Sequence, residues 1–288
     1  MKILTFDIED WFHILDNPET QAVGSWNQYE SRLKEGVDLI LRILDQSKQT
    51  ATFFCLGWVA ERYPDLIRNI DKAGHHIGTH SYSHQLAYKQ TPEQFHQDLK
   101  KSIDILHDVI GKPIDCYRAP GFSITSENLW TFDILLREGI RIDCSLFPAN
   151  RAHGGLPQFG SATPSIGILG DSEIKLLPIN TRTLMGWTFI YSGGGYFRLF
   201  PNSWIQKWFG EDSYVMTYFH PRDFDNAQPI VPGLSPIRRF KSYVGIRGAR
   251  QKLEKLLATH NFVDVRKASQ SVIWESVPRI DLESYQTV

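Results

Sequence analysis

The stretch GHHIGTHSYSH, Gly74–His84, gathers four of the chain's ten histidines. Two of them, His80 and His84, are spaced i, i+4, and if the backbone turns into a helix there both rings lie on one face. Neutral imidazole nitrogens at that spacing suit a borderline divalent metal such as zinc. A polar surface turn or satisfied core histidines are the alternatives, and an HxxxH pattern alone does not choose among them. Ser81 is placed to hydrogen-bond locally and hold the turn. His75 and His76 precede a glycine-containing strand and read as structural.

A catalytic zinc takes three protein ligands and keeps one position open for water. The segment DIED offers carboxylates at Asp7, Glu9 and Asp10, at the end of an apolar run. Acids crowded there are costly unless paired or bound to a cation; a helix N-cap with a solvated turn is the other reading. Arg118 in YRAPGF lies between a strand and a proline turn. A guanidinium there can fork onto a carboxylate and hold Asp7 ionised and oriented, or it can simply face solvent. His220 in TYFHP ends a late strand and is fixed by Pro221, and an imidazole there can serve as a general acid near neutral pH.

Such residues need elements to bring them together. KILTF, TATFFCLG, HHIGTH, IDCYRAP and RIDCSLF read as short buried strands. Between them ESRLKEGVDLILRILDQSKQ, PDLIRNIDKAG, TPEQFHQDLKKSIDILHDVIG and SENLWTFDILLREG have helical spacing, with Thr, Pro and Glu opening the third. Alternation over residues 1–148 predicts an α/β fold of parallel strands with helices packed outside. Asp7, His80, Arg118 and His220 then each fall at or just past a strand's C-terminal end, the edge where α/β folds build sites. PANRAHGGLPQFGSATPSIG reads as a long loop, EIKLLPI and SYVMTYF as later strands, and RGARQKLEKLLATHNFVDV as a helix and then a strand. YSGGGYFRLFP reads as a glycine-rich turn and an aromatic run. It lacks the spacing of a dinucleotide-binding loop.

Composition narrows the classes further. Of 288 residues, 42% are hydrophobic and 22% charged, and 31 Lys+Arg balance 32 Asp+Glu to a formal net charge of −1, which argues against a nucleic-acid partner. The basic run RRFKSYVGIRGARQK reads as a solvated helical face. Cys55, Cys116 and Cys144 sit in apolar runs without CxxC spacing, as buried thiols of a reducing compartment would. The opening MKILTFDIEDWF places acids too early for a secretory leader, and no run approaches the ~18 apolar residues of a membrane span. The expectation is a cytoplasmic protein.

The pieces TFDIED, GTHSYSH, YRAPGF and YFHP, in that order, resemble the motifs of the NodB-type polysaccharide deacetylases, carbohydrate esterase family four. ATFFCLGWVAERYPDLIRNIDKAGHHIGTHSYSH is similar to that family throughout. GGGYFRLFP and the run from His220 to Leu257 resemble a subgroup found with exosortase and exopolysaccharide gene clusters, which carries its own C-terminal extension. The resemblance implies a distorted (β/α) barrel over 1–220, with an extension packed on it over 221–288, and a metal-dependent N-deacetylase acting on an N-acetylated glycan. By motif, Asp7 is the general base, His80 and His84 are metal ligands, Arg118 orients the base and His220 is the general acid. The family's usual pair of adjacent aspartates is replaced here by Asp7 and Ile8, so either Glu9 or Asp10 completes the ligand set, with Glu9 preferred. Zinc is the expected ion, though cobalt, nickel or iron would accept similar ligands. Trp11, Pro120 and Phe122 are candidates for contacts with the sugar, and Phe12 and Trp187 are further aromatics that serve either a sugar platform or the core. Relatives of this fold that hydrolyse cyclic amides or imides, and an inactive glycan-binding protein, are the competing readings.

Overall fold

Short, wholly buried strands build the centre of the computed structural model, which describes residues 1–15, 17–149, 153–160 and 162–285, and of Trp187 the backbone only. β1 (Lys2–Ile3) and β2 (Thr5–Ile8) lead through α1 (Leu33–Ser47) to β3 (Thr52–Cys55). Then come α2 (Gly57–Arg62), α3 (Pro64–Lys72), β4 (His76–Thr79), α4 (Pro92–Ile110), β5 (Cys116–Tyr117), α5 (Thr131–Arg137) and β6 (Ile142–Asp143). Every residue of β2, β3 and β4 is buried, because helices cover one face of the sheet and barrel side chains the other. α4 shows how the sequence sets such a helix. Thr91 and Gln94 form a reciprocal capping box, Phe95, Leu99 and Leu106 supply the inward stripe, and Gly111 ends it at φ 67°.

The second half adds β7 (Ser165–Leu169), β8 (Ser172–Leu176), and a hairpin of β9 (Arg182–Leu184) and β10 (Trp187–Phe189). It continues with α6 (Gly194–Leu199), α7 (Asn202–Glu211), β11 (Val215–Met216), α8 (Pro236–Tyr243), α9 (Ile246–Thr259), α10 (Val265–Ser271) and β12 (Arg279–Asp281). The main sheet runs β12-β7-β8-β6-β5-β4-β3-β2. From β2 to β6 and on to β8 its neighbours are parallel, while β7 is antiparallel to β8. β1 pairs in parallel with β11, and Phe6 bridges Phe219, so the curled sheet meets the 215–219 segment. The result is the distorted (β/α) barrel.

Several expectations require correction. The end of the expected 148–167 loop is strand: Ser165–Leu169 pairs with β8, its β signal hidden behind the Gly/Pro-rich run before it. Asn150–Ala152 and Ser161 of that loop lie outside the described residues. In YSGGGYFRLFP, read as a glycine-rich turn and an aromatic run, Gly194–Leu199 forms a helix, α6. Gly193 is required there because a Cβ would stand 1.9 Å from the Tyr218 carbonyl oxygen. The expected last strand in NFVDV is reduced to a bridge between Val263 and Ile3, and α10 begins at Val265. β12 and α7 were not anticipated. β12 joins the sheet edge beside β7, so residues beyond 220 complete the sheet as well as packing on it.

Candidate active site

The end of β2 sets the first two groups. Side chains alternate along a strand, so Asp7 and Glu9 share one side and Ile8 and Asp10 the other. Glu9 turns its oxygens toward two histidines: Oε2 is 2.7 Å from His84 Nε2, and Oε1 is 3.0 Å from His220 Nε2. Burial pushes its carboxyl up, but the adjacent His84 and His220 outweigh this and hold it well below the usual carboxylate range. Asp10 is spent otherwise, accepting from the backbone N–H of Trp11 at 2.8 Å and of Arg32, at the start of α1, at 3.1 Å. Burial, only partly offset by those hydrogen bonds, raises it to about 6.

His80 is the first residue past β4. Its Nδ1–H donates to the Arg118 carbonyl at 2.8 Å, leaving the Nε2 lone pair free to bind a metal. Burial lowers its pKa to about 4, so the ring is neutral at pH 7. His84 follows in an irregular loop. The backbone does not turn into a helix here: Ser81 at φ 65° and His84 at φ 54° are left-handed, and the loop is held from outside by Asp98 of α4. The Asp98 carboxylate accepts from Tyr82 N at 2.8 Å and Ser83 N at 3.1 Å. The Ser81 hydroxyl makes no local hydrogen bond; its carbonyl instead accepts from Gly57 N at 2.9 Å and Ser102 Oγ at 3.1 Å.

Arg118, first past β5, is fully buried, not at the surface. Its hold on Asp7 is single: Nη1 donates to Asp7 Oδ1 at 2.8 Å and to Thr5 Oγ1 at 2.7 Å, while Nε donates to the Cys144 carbonyl at 3.3 Å. Phe54 stacks beneath the guanidinium at 4.3 Å. His220 follows the 215–219 segment. Its Nε2 also lies 4.0 Å from Asp7 Oδ2, and its Nδ1–H donates to Asp223 Oδ2 at 3.0 Å. Asp223 in turn pairs with Arg198 Nε of α6 at 3.0 Å. Burial lowers the His220 pKa, but Glu9 and Asp223 overcome this and raise it well above the ordinary histidine value.

Glu9, His80 and His84 present one donor atom each, all within 4.8 Å of one another. Glu9 Oε2 is buried and lacks hydrogen-bond geometry to any partner, despite its approach to His84. An orphaned carboxylate oxygen beside two imidazoles is a donor set that fits a divalent ion, so these residues satisfy the chemistry of a metal centre. Asp7, His80, His84, Phe122 and His220 all line one cavity of about 220 Å³. Trp11 and Pro120 do not. The Trp11 ring packs against Phe12 and Tyr29, and its Nε1–H donates to the Glu30 carbonyl, so the expected sugar contact is a core side chain. Phe12 is fully buried in the same cluster, and the Trp187 side chain is outside the described residues. His75 and His76 lie away from this cavity, at the opposite ends of the strands: His75 Nδ1 accepts from Ala51 N at 3.4 Å, and the His76 ring is held by Thr52 Oγ1 and by Asp115. Thr5, Asp98, Arg198 and Asp223 are site residues that sequence reasoning missed. Only Asp223, three residues after His220 with Pro221 between them, left a local signal.

The fold is that of the NodB-type deacetylases. It superposes on a Mycobacterium smegmatis protein assigned to the polysaccharide deacetylases with a TM-score of 0.66 at 19% identity, covering 97% of this chain and 92% of that one. A family-four carbohydrate esterase pseudoenzyme from Bacillus anthracis superposes with a TM-score of 0.50 at 14% identity, over 98% of this chain and 68% of that one. Likeness at such identities establishes the fold alone. Residues 4–132 match the family model described as "Polysaccharide deacetylase", and residues 144–270 match "Domain of unknown function (DUF3473)". A peptidoglycan deacetylase of Helicobacter pylori is 31% identical over 111 residues, 38% of this chain and 37% of that protein. A peptidoglycan-N-acetylglucosamine deacetylase of Bacillus cereus is 31% identical over 139 residues, 42% of this chain and 50% of that protein. The chain thus spans half or less of these curated relatives.

Proposed function

We propose that the protein is a metal-dependent N-deacetylase that removes acetyl groups from N-acetylated amino sugars of a bacterial polysaccharide or its precursor. The convergence of Glu9, His80 and His84 with Asp7 and His220 around one cavity carries this reading. The run GGGYFRLFP and the segment beyond His220, which resemble the exosortase-associated subgroup, support a substrate from exopolysaccharide synthesis. Zinc is the metal most suited to two imidazoles and a carboxylate.

Glu9, His80 and His84 hold the ion, which when bound polarises an acyl carbonyl and lowers the pKa of water. Asp7, oriented by the Arg118 guanidinium, takes the proton of the attacking water. His220 carries the proton that the departing nitrogen needs, since an amide nitrogen leaves poorly as an anion. Asp223 fixes the donating tautomer from the far side of the ring, and Arg198 fixes Asp223. The products are acetate and a free amino sugar.

The test is metal content together with acetate release from N-acetylglucosamine oligosaccharides. Wild type is expected to retain one ion per chain and release acetate, and His84→Ala to lose both. Unchanged metal content and rate in His84→Ala would falsify the reading. Bound zinc with no acetate from any glycan would instead mark a binding protein, and turnover of cyclic imides that survives chelation a different hydrolase.

A further inference from the structure

The basic run that sequence reasoning set aside as a solvated face is not uniformly polar. α8 has no buried residue, and it exposes Ile237 at 70% and Phe240 at 60%, one helical turn apart. Ile230 just before it is 53% exposed. Arg239, Lys241 and Arg247 are exposed beside them and, among the described residues, form no ion pair. From Asn226 to Leu253 the chain carries six Arg and Lys and no acid. The next carboxylate, Glu254, is already paired with Arg250.

The position of α8 ties this face to the site. Its inward residues Arg238 and Ser242 line the cavity that holds Asp7, Glu9 and His220. Its last turn is fastened by Arg198, which donates to the carbonyls of Lys241 at 3.2 Å, Ser242 at 3.0 Å and Val244 at 2.9 Å. Arg198 is the same residue that pairs with Asp223 behind His220. The outward face therefore has a fixed orientation at the cavity mouth.

We infer that α8 and its flanks dock on a lipid surface bearing anionic headgroups, and so set the cavity mouth against the bilayer. Large apolar side chains on one short helix, flanked by unpaired cations on it and at the start of α9, fit the boundary between headgroups and acyl chains: the apolar groups enter and the cations meet phosphate. A second copy is a poorer occupant, since a twofold contact of this patch with itself would set cations against cations. The surface is independent of the reaction assigned to the cavity, because docking is read without turnover.

The experiment is co-sedimentation of the full chain with mixed phosphatidylglycerol–phosphatidylcholine vesicles and with phosphatidylcholine alone, at low and physiological salt. Binding is expected on the anionic vesicles, weakening with salt. Charge reversal of Arg239, Lys241 and Arg247 to Glu should reduce it at least about 100-fold, at roughly fivefold for each cation lost. Ile237→Ser with Phe240→Ser should reduce it at every salt concentration. Acetate release from soluble oligosaccharides and the circular dichroism spectrum should stay at wild-type values in both variants. Equal partition onto neutral vesicles, no binding at low salt, or variants that bind as wild type overturn the proposal. So does a dimer that Ile237→Asp dissolves in a protein that ignores vesicles.

Discussion

Glu9 and Asp10 are neighbours of similar chemistry, and the backbone gives them different work. Glu9 lies two residues from Asp7 and looks into the cavity, whereas Asp10 takes the backbone N–H groups of Trp11 and Arg32. Glu9→Gln should therefore lose the metal, because an amide is a poor substitute for an anionic ligand between two imidazoles. Asp10→Asn should keep it, since asparagine retains an acceptor for the same N–H groups and buries no charge. Metal content after dialysis, with a thermal melt changing by less than about 1 kcal/mol for Asp10→Asn, separates the two. The period-two argument was available in DIED, so this part of the site was legible. Arg198 was not: it lies 25 positions before Asp223 and reaches His220 only through it, and nothing in a one-dimensional spacing marks such a contact.

At the scale of elements, the loop after β4 decides how the histidines meet. The i, i+4 spacing was legible, but the helix it suggested is replaced by a loop with two non-glycine residues at positive φ. Such a backbone persists only when its surroundings over-determine it. Asp98 provides this by accepting from the N–H groups of Tyr82 and Ser83, so it would act on the proposed ion through the backbone that carries His84. Asp98→Ala should weaken metal affinity about 10–100-fold, the usual effect of losing a partner that orients a ligand. Helix content should be unchanged and activity partly restored by excess metal; affinity equal to wild type would remove Asp98 from the site. The strand–helix alternation of the first half was readable because each strand is an apolar run closed by a turn. The second half was harder, since β7 begins inside a Gly/Pro-rich segment and β12 is a strand only because β7 offers it an edge.

Across the whole molecule, two of the buried aspartates sit under opposite conditions. Asp7 meets the Arg118 guanidinium directly, whereas Asp143 of β6 is held by neutral donors, among them the N–H and hydroxyl of Ser145 at 2.9 and 2.6 Å. Ser145 Oγ also accepts from Ala119 N at 2.8 Å, which ties the ends of β5 and β6 together beside the cavity. Burial, against the smaller opposing pull of Ser145, raises the Asp143 carboxyl from 3.8 to about 7. The folded chain therefore keeps a proton that the unfolded chain releases. Between about pH 4 and pH 7 the unfolded state binds fewer protons at this group, so the contribution of Asp143 to stability falls as pH rises through this window. The loss is complete above the folded pKa and reaches at most about 4 kcal/mol, at about 1.4 kcal/mol for each tenfold change in proton affinity. Asp143→Asn keeps the shape and an acceptor for Ser145 N, and it leaves no carboxyl to ionise in the barrel. The variant should match wild type near pH 4 and be the more stable protein at pH 8. Urea unfolding at both values tests this, and a stability difference that does not change with pH would place the buried proton elsewhere in the barrel.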